Sequence, residues 1–243
     1  PMKNKTNISS SDSRLIVALD TSSLEAAKKL IQELRGLVNF YKIGFELFTA
    51  HGWKAAELVR KTGGKIFLDL KLHDIPNTAS KTTAVICKHE VEMCTVHTLG
   101  GFEMMRQVRE AVEGSSKKNR PRVLGVTILT SHTPESLSRE MGIGRSLGEQ
   151  VLHLAELAKE AGLDGVVCSP QEISLLRQKF TQNFLIVTPG IRPEGSPAGD
   201  QKRIYTPQEA LALGADYLVI GRPITAAKDP RKEALKILDS FRD

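Results

Sequence analysis

Eight short apolar runs, each followed by a stretch of helical periodicity, constrain this chain more than any other feature. The runs fall at residues 14–20, 38–43, 66–68, 91–97, 123–129, 165–168, 184–188 and 215–220. Each is too short for a helix and mostly apolar, the pattern of a strand buried on both faces. Between them, apolar residues recur at helical spacing over 24–34, 44–60, 77–89, 101–113, 147–161 and 207–213. Pro170 opens a further short helix, and Pro223 stands in the first turn of a broken or terminal one. Eight strands alternating with helices over about 230 residues match an α/β fold, a (β/α)8 barrel of the TIM type, whose usual length is about 250. A doubly wound open sheet also alternates in this way. It asks for a Gly-rich turn after the first strand, and Asp20-Thr21-Ser22-Ser23 is not one. A single domain over 14–243 is expected, preceded by a flexible leader at 1–13.

Composition narrows the partners. The chain has 243 residues, 40% hydrophobic and 26% charged, with a formal net charge of +6, which is ordinary for a soluble globular domain. The positive excess admits an anionic ligand. Its Lys and Arg alternate with acids along helical stretches such as 149–160, and no basic run carries interleaved aromatics, so no nucleic acid is expected. No apolar run approaches the roughly 20 residues that span a bilayer, so no membrane is expected either. Cys87, Cys94 and Cys168 lie apart, each in or beside an apolar segment. They read as free buried thiols of a cytoplasmic protein, and neither a disulfide nor a metal is called for.

The chemistry gathers where the strands end. Ile66-Phe67-Leu68 runs directly into Asp69, Lys71, His73 and Asp74. Strand side chains alternate faces, so Phe67, Asp69 and Lys71 share one. In the same phase Ile16, Ala18 and Asp20 share a face, as do Phe40 and Lys42, and His97 ends the fourth run. One such pair would be a salt bridge at a strand end. Four adjoining strands that each end in an ionisable group read as a site, because charges at the end of an apolar strand are costly unless paired or used.

A second cluster follows the last two strands. Thr188-Pro189-Gly190-Ile191-Arg192-Pro193 opens a loop at 189–203 that also carries Gln201 and Arg203, and Ile220-Gly221-Arg222-Pro223 follows the eighth strand. Gly221 permits close backbone approach and Pro223 suits a first helical turn. Phosphate is a recurrent ligand at this place in such barrels.

Together these residues resemble the orotidine 5′-phosphate decarboxylase family in its bacterial form. The resemblance rests on Val17-Ala18-Leu19-Asp20, Tyr41-Lys42-Ile43-Gly44, Asp69-Leu70-Lys71-Leu72-His73-Asp74-Ile75-Pro76-Asn77-Thr78, Val96-His97, Val187-Thr188-Pro189-Gly190-Ile191-Arg192 and Ile220-Gly221-Arg222-Pro223-Ile224. Asp-x-Lys-x-x-Asp alone is shared with a sugar-phosphate decarboxylase and an aldolase-like synthase; the extended segment from Asp69 to Thr78 is far more specific. Thr98-Leu99 departs from the family, which often has smaller residues there, and bears on local packing.

The resemblance implies cofactor-independent decarboxylation of orotidine 5′-monophosphate to UMP in pyrimidine biosynthesis. It implies Lys42, Asp69, Lys71 and Asp74 as the catalytic charges. Asp20 would meet the ribose hydroxyls and Thr130 and Ser131 the pyrimidine. Pro189, Arg192, Gln201, Gly221 and Arg222 would line the phosphate end, under a closing 189–203 loop. It further implies a homodimer in which Asp74, Ile75 and Thr78 reach the partner's site, and no metal. Three other readings stay open at this point. They are a Mg²⁺-dependent 3-keto-sugar-phosphate decarboxylase, which would place an acid where Lys42 stands, a non-catalytic phosphoribosyl-nucleotide binder, and a nucleic-acid binder.

Overall fold

A computed structural model describes residues 14–115, 120–193 and 205–241. The expected leader at 1–13, Gln201 and Arg203 lie outside the described residues. Eight parallel strands close into one barrel in sequence order. They are β1 (Leu15–Ala18), β2 (Phe40–Ile43), β3 (Lys65–Leu72), β4 (Met93–His97), β5 (Arg122–Val126), β6 (Gly165–Val167), β7 (Leu185–Thr188) and β8 (Tyr217–Ile220). Closure is made by β8 pairing back onto β1, with Ile16 opposite Val219.

The alternation read from the sequence separates two apolar layers. Ile16, Ala18, Phe40, Phe67, Met93, Leu124, Val187 and Val219 point into the barrel and form an inner cluster. Their strand neighbours Leu15, Val17, Tyr41, Ile43, Ile66, Leu68, Cys94 and Val123 point outward, against the helices. Burying a side chain such as Phe67 stabilises the fold by roughly 1.5–3 kcal/mol, and because both faces of every strand are covered, the runs are mostly apolar.

The helices are α1 (Leu24–Glu33), α2 (Phe45–His51), α3 (Trp53–Lys61), α4 (Pro76–Ile86), α5 (Gly101–Glu113), α6 (Pro134–Arg139), α7 (Leu147–Glu160), α8 (Ile173–Lys179), α9 (Pro207–Leu213), α10 (Arg222–Thr225) and α11 (Pro230–Asp239). Side-chain caps start several of them. Ser23 accepts from the Ala26 amide, and Ser146/Glu149 and Thr206/Glu209 form reciprocal capping boxes, each satisfying amides that the first turn leaves unpaired.

Three local expectations change. The helix expected over 44–60 is two, because Gly52 at φ 54 breaks it. The polar stretch after β5 contains α6, started by Thr133 in a capping box with Ser136 and by Pro134 in the first turn. The fifth strand ends at Val126 rather than Leu129; Thr127 adds one more amide bond, to the Val167 carbonyl, and Leu129 is already 38% exposed at the rim. The expected broken terminal helix is present as α10 and α11, with Pro223 in the first turn of α10. Thr98, the departure noted above, is fully buried and donates to the Val126 carbonyl at 2.8 Å. Its methyl fills the space a side chain on Gly125 would need, since a β-carbon there would lie 2.6 Å from it.

Candidate active site

Two residues beyond the inner apolar layer, the same strand faces turn polar. Asp20 follows Ala18, Lys42 follows Phe40, and Asp69 and Lys71 follow Phe67, so their tips meet above the apolar floor. Lys42 Nζ lies 3.0 Å from Asp20 Oδ1 and 3.7 Å from Asp69 Oδ2. Lys71 Nζ lies 2.8 Å from the same Asp69 oxygen. The order in space is therefore carboxylate, ammonium, carboxylate, ammonium. Lys42 and Asp69 are largely buried, their side chains 13% and 12% exposed, while Asp20 at 53% opens to solvent. Low solvent access strengthens each attraction and also penalises removal of any single partner.

These groups line a cavity of about 360 Å³ with Ala18, Phe67, Val126, Val167 and Val219 below and Thr130, Ser131, Pro189, Gly190, Arg192, Gly221 and Arg222 across from them. Backbone geometry opens the far side. Gly190 has φ 78, and a β-carbon on Gly221 would stand 3.3 Å from Asp20 Oδ2. Arg192 is 6% exposed and donates to the Ile191 carbonyl. Its amide bonds the Tyr205 carbonyl at 3.0 Å, tying together the two described ends of the 193–205 connection.

Of the residues singled out in the sequence, Asp20, Lys42, Asp69, Lys71, Thr130, Ser131, Pro189, Arg192, Gly221 and Arg222 line this one cavity. Asp74, Ile75 and Thr78 do not. Asp74 and Ile75 are exposed on the turn into α4 and Thr78 in its first turn, with Ile75 66% exposed and Asp74 Oδ1 accepting from the Ile75 amide.

The sequence reading missed Thr95, which is buried beneath the charges and bonded to both Asp69 and Lys71. It sits in the inward phase of β4, between Met93 and His97, which was the available signal. His97 packs against His73 with ring centres 5.4 Å apart. Burial first, and then the nearby charges of His73, Lys71 and His132, lower its pKa to about 4.

A closed parallel (β/α)8 barrel with an ionisable network over the C-terminal ends of its first strands and an open cradle over the last two has the architecture of a barrel enzyme. Residues 13–237 match the model of the Orotidine 5'-phosphate decarboxylase / HUMPS family. The chain belongs to that family. It is 49% identical over 220 residues to the orotidine 5'-phosphate decarboxylase of Moorella thermoacetica, covering 89% of this chain and 87% of that one. It is 46% identical over 230 residues to that of Geobacter sp. strain M21, covering 94% and 95%. The crystal structure of orotidine 5'-phosphate decarboxylase from Lactobacillus acidophilus superposes with a TM-score of 0.84 at 38% identity, covering 96% of this chain and 100% of that one.

Proposed function

We propose that this chain decarboxylates orotidine 5′-monophosphate to UMP and CO2 without a cofactor, as its named relatives imply. The observation that carries this reading is the alternating Asp20–Lys42–Asp69–Lys71 chain lining one side of the cavity, with Lys71 Nζ 2.8 Å from Asp69 Oδ2. Loss of CO2 from C6 of the pyrimidine leaves an electron pair in an sp² orbital that the ring π-system cannot delocalise. The site must stabilise that carbanion electrostatically and then protonate it. The Lys71 ammonium serves both steps, as a fixed positive charge during C–C cleavage and then as general acid. Asp69 holds the Lys71 ammonium in place, and Lys42 grips the same carboxylate oxygen from its other side, so little reorganisation accompanies the reaction.

Asp20 meets the ribose hydroxyls, Thr130 and Ser131 the pyrimidine edge, and Pro189, Arg192, Gly221 and Arg222 the phosphate end. Gln201 belongs to this assignment by resemblance alone. Binding energy from the phosphate, remote from C6, is then available to the reacting centre.

Asp74, Ile75 and Thr78 are assigned to the site of a second copy. Their exposure outside the chain's own cavity supports this, as does the exposed apolar surface of Ile75, Val85 and Phe102 on and beside α4 and α5. A cytoplasmic setting fits Cys87, Cys94 and Cys168, all free and buried, and among the described residues no helix is long and apolar enough to cross a membrane.

The Mg²⁺-dependent sugar-phosphate decarboxylase reading is disfavoured by Lys42, whose ammonium already stands between two carboxylates where a divalent cation would be repelled. The deciding assay follows the loss of orotidine 5′-monophosphate absorbance in EDTA-treated protein. Undiminished turnover is expected; turnover that returns only on adding Mg²⁺ would replace this reading with the other.

A further inference from the structure

The step in register between β3 and β4 isolates one hydroxyl. Leu68 pairs with Cys94 and Leu72 with Val96, so Asp69, Leu70 and Lys71 stand opposite Thr95 alone. The surplus bends β3, and Lys71 takes φ 46, a left-handed conformation that a residue with a β-carbon rarely adopts. Its amide, displaced from the regular ladder, donates to Thr95 Oγ1 at 2.8 Å. The same hydroxyl donates its hydrogen to Asp69 Oδ1 at 3.0 Å. The other Asp69 oxygen accepts from Lys71 Nζ at 2.8 Å. The result is a closed ring in which Thr95 grips the backbone of Lys71 and orients the carboxylate that grips its ammonium. Thr95 is 1% exposed, so no water can readily take over its two bonds.

We propose that Thr95 is a positioning residue for the decarboxylation: it fixes the bulged backbone of Lys71 and the plane of the Asp69 carboxylate, and so aims the ammonium at the reacting carbon. This rests on the decarboxylase reading above. Thr95 lines no part of the cavity and acts only through its two neighbours. A hydroxyl is suited to the task because it donates one bond while accepting another. Valine has its shape and neither capacity.

The test compares Thr95→Val and Thr95→Ser in the full chain for kcat, KM, UMP affinity by calorimetry and thermal midpoint. Thr95→Val should lower kcat on the order of 10- to 100-fold, because a small misplacement of a catalytic group is costly. UMP affinity should stay within about threefold, because the phosphate cradle is untouched. Thr95→Ser keeps the hydroxyl and should recover most of the rate.

A valine variant with wild-type kcat overturns the assignment. So does equal loss in the serine and valine variants. Should the valine variant lose its thermal transition, Thr95→Ala is read in the same way. A wild type that binds UMP but leaves orotidine 5′-monophosphate intact overturns the decarboxylase reading and this one with it. An active wild type with an unimpaired valine variant overturns this one alone.

Discussion

The Lys42 ammonium rests over the bare α-carbon of Gly44, and a β-carbon at Gly44 would lie 2.9 Å from Lys42 Nζ and 3.7 Å from Asp20 Oδ1. Gly44 caps α2 with φ −99 and ψ −170, a conformation open to alanine. The glycine is therefore required by the neighbouring charge and not by its own backbone.

Gly44→Ala should consequently leave the fold intact and displace Lys42 from its place between Asp20 and Asp69. Stability is expected to stay within about 1 kcal/mol of the parent, since alanine is compatible with this backbone. The decarboxylation rate should fall on the order of 10- to 100-fold, the scale of a misplaced catalytic group. Steady-state kinetics beside a denaturation curve check both parts. A variant that loses stability but keeps kcat would mean that Lys42 tolerates displacement.

The two ends of the cavity should separate in kinetics. Lys71→Ala removes the proposed proton donor and should cut turnover by more than about 10³-fold while UMP still binds. Arg222→Ala removes an exposed guanidinium at the opposite rim. It should raise KM by about 10- to 100-fold, the size of a lost charge-assisted hydrogen bond. Near-normal rates in Lys71→Ala would remove Lys71 from its role, and unchanged kinetics in Arg222→Ala would remove Arg222 from the phosphate end.

The barrel was legible because each strand carries its own burial signal. Ile16, Ala18 and Asp20, or Phe40 and Lys42, reveal the inward face by counting in twos, and the charges at the ends of those counts are the cavity charges. The β3 bulge was not legible in that way. Nothing near Lys71 marks a left-handed residue, because the bond that holds it there comes from Thr95, on the next strand. The fit of Thr98 into the space left by Gly125 is likewise non-local. The break at Gly52 and the start of α6 at Thr133-Pro134 were different, since both carried local signals that a longer periodic run and a polar composition obscured.

His97 should make the fold acid-sensitive. Its ring stacks on His73, and its Nδ1 accepts from the Leu99 amide at 3.4 Å, an arrangement that suits a neutral imidazole. Burial, with His73, Lys71 and His132 nearby, lowers its pKa from 6.5 to about 4. Between those values the unfolded chain binds a proton that the folded chain refuses. Stability therefore falls as pH drops from 6.5 towards 4 and is undiminished by this group above 6.5. With solvent screening of a partly exposed ring allowed for, the effect is about 1–2 kcal/mol. Urea denaturation of the wild type and His97→Gln at pH 7.5 and pH 4.5 isolates it, because the glutamine does not titrate. The wild type should lose more stability than the variant across that interval, and equal losses would assign the acid sensitivity to other groups.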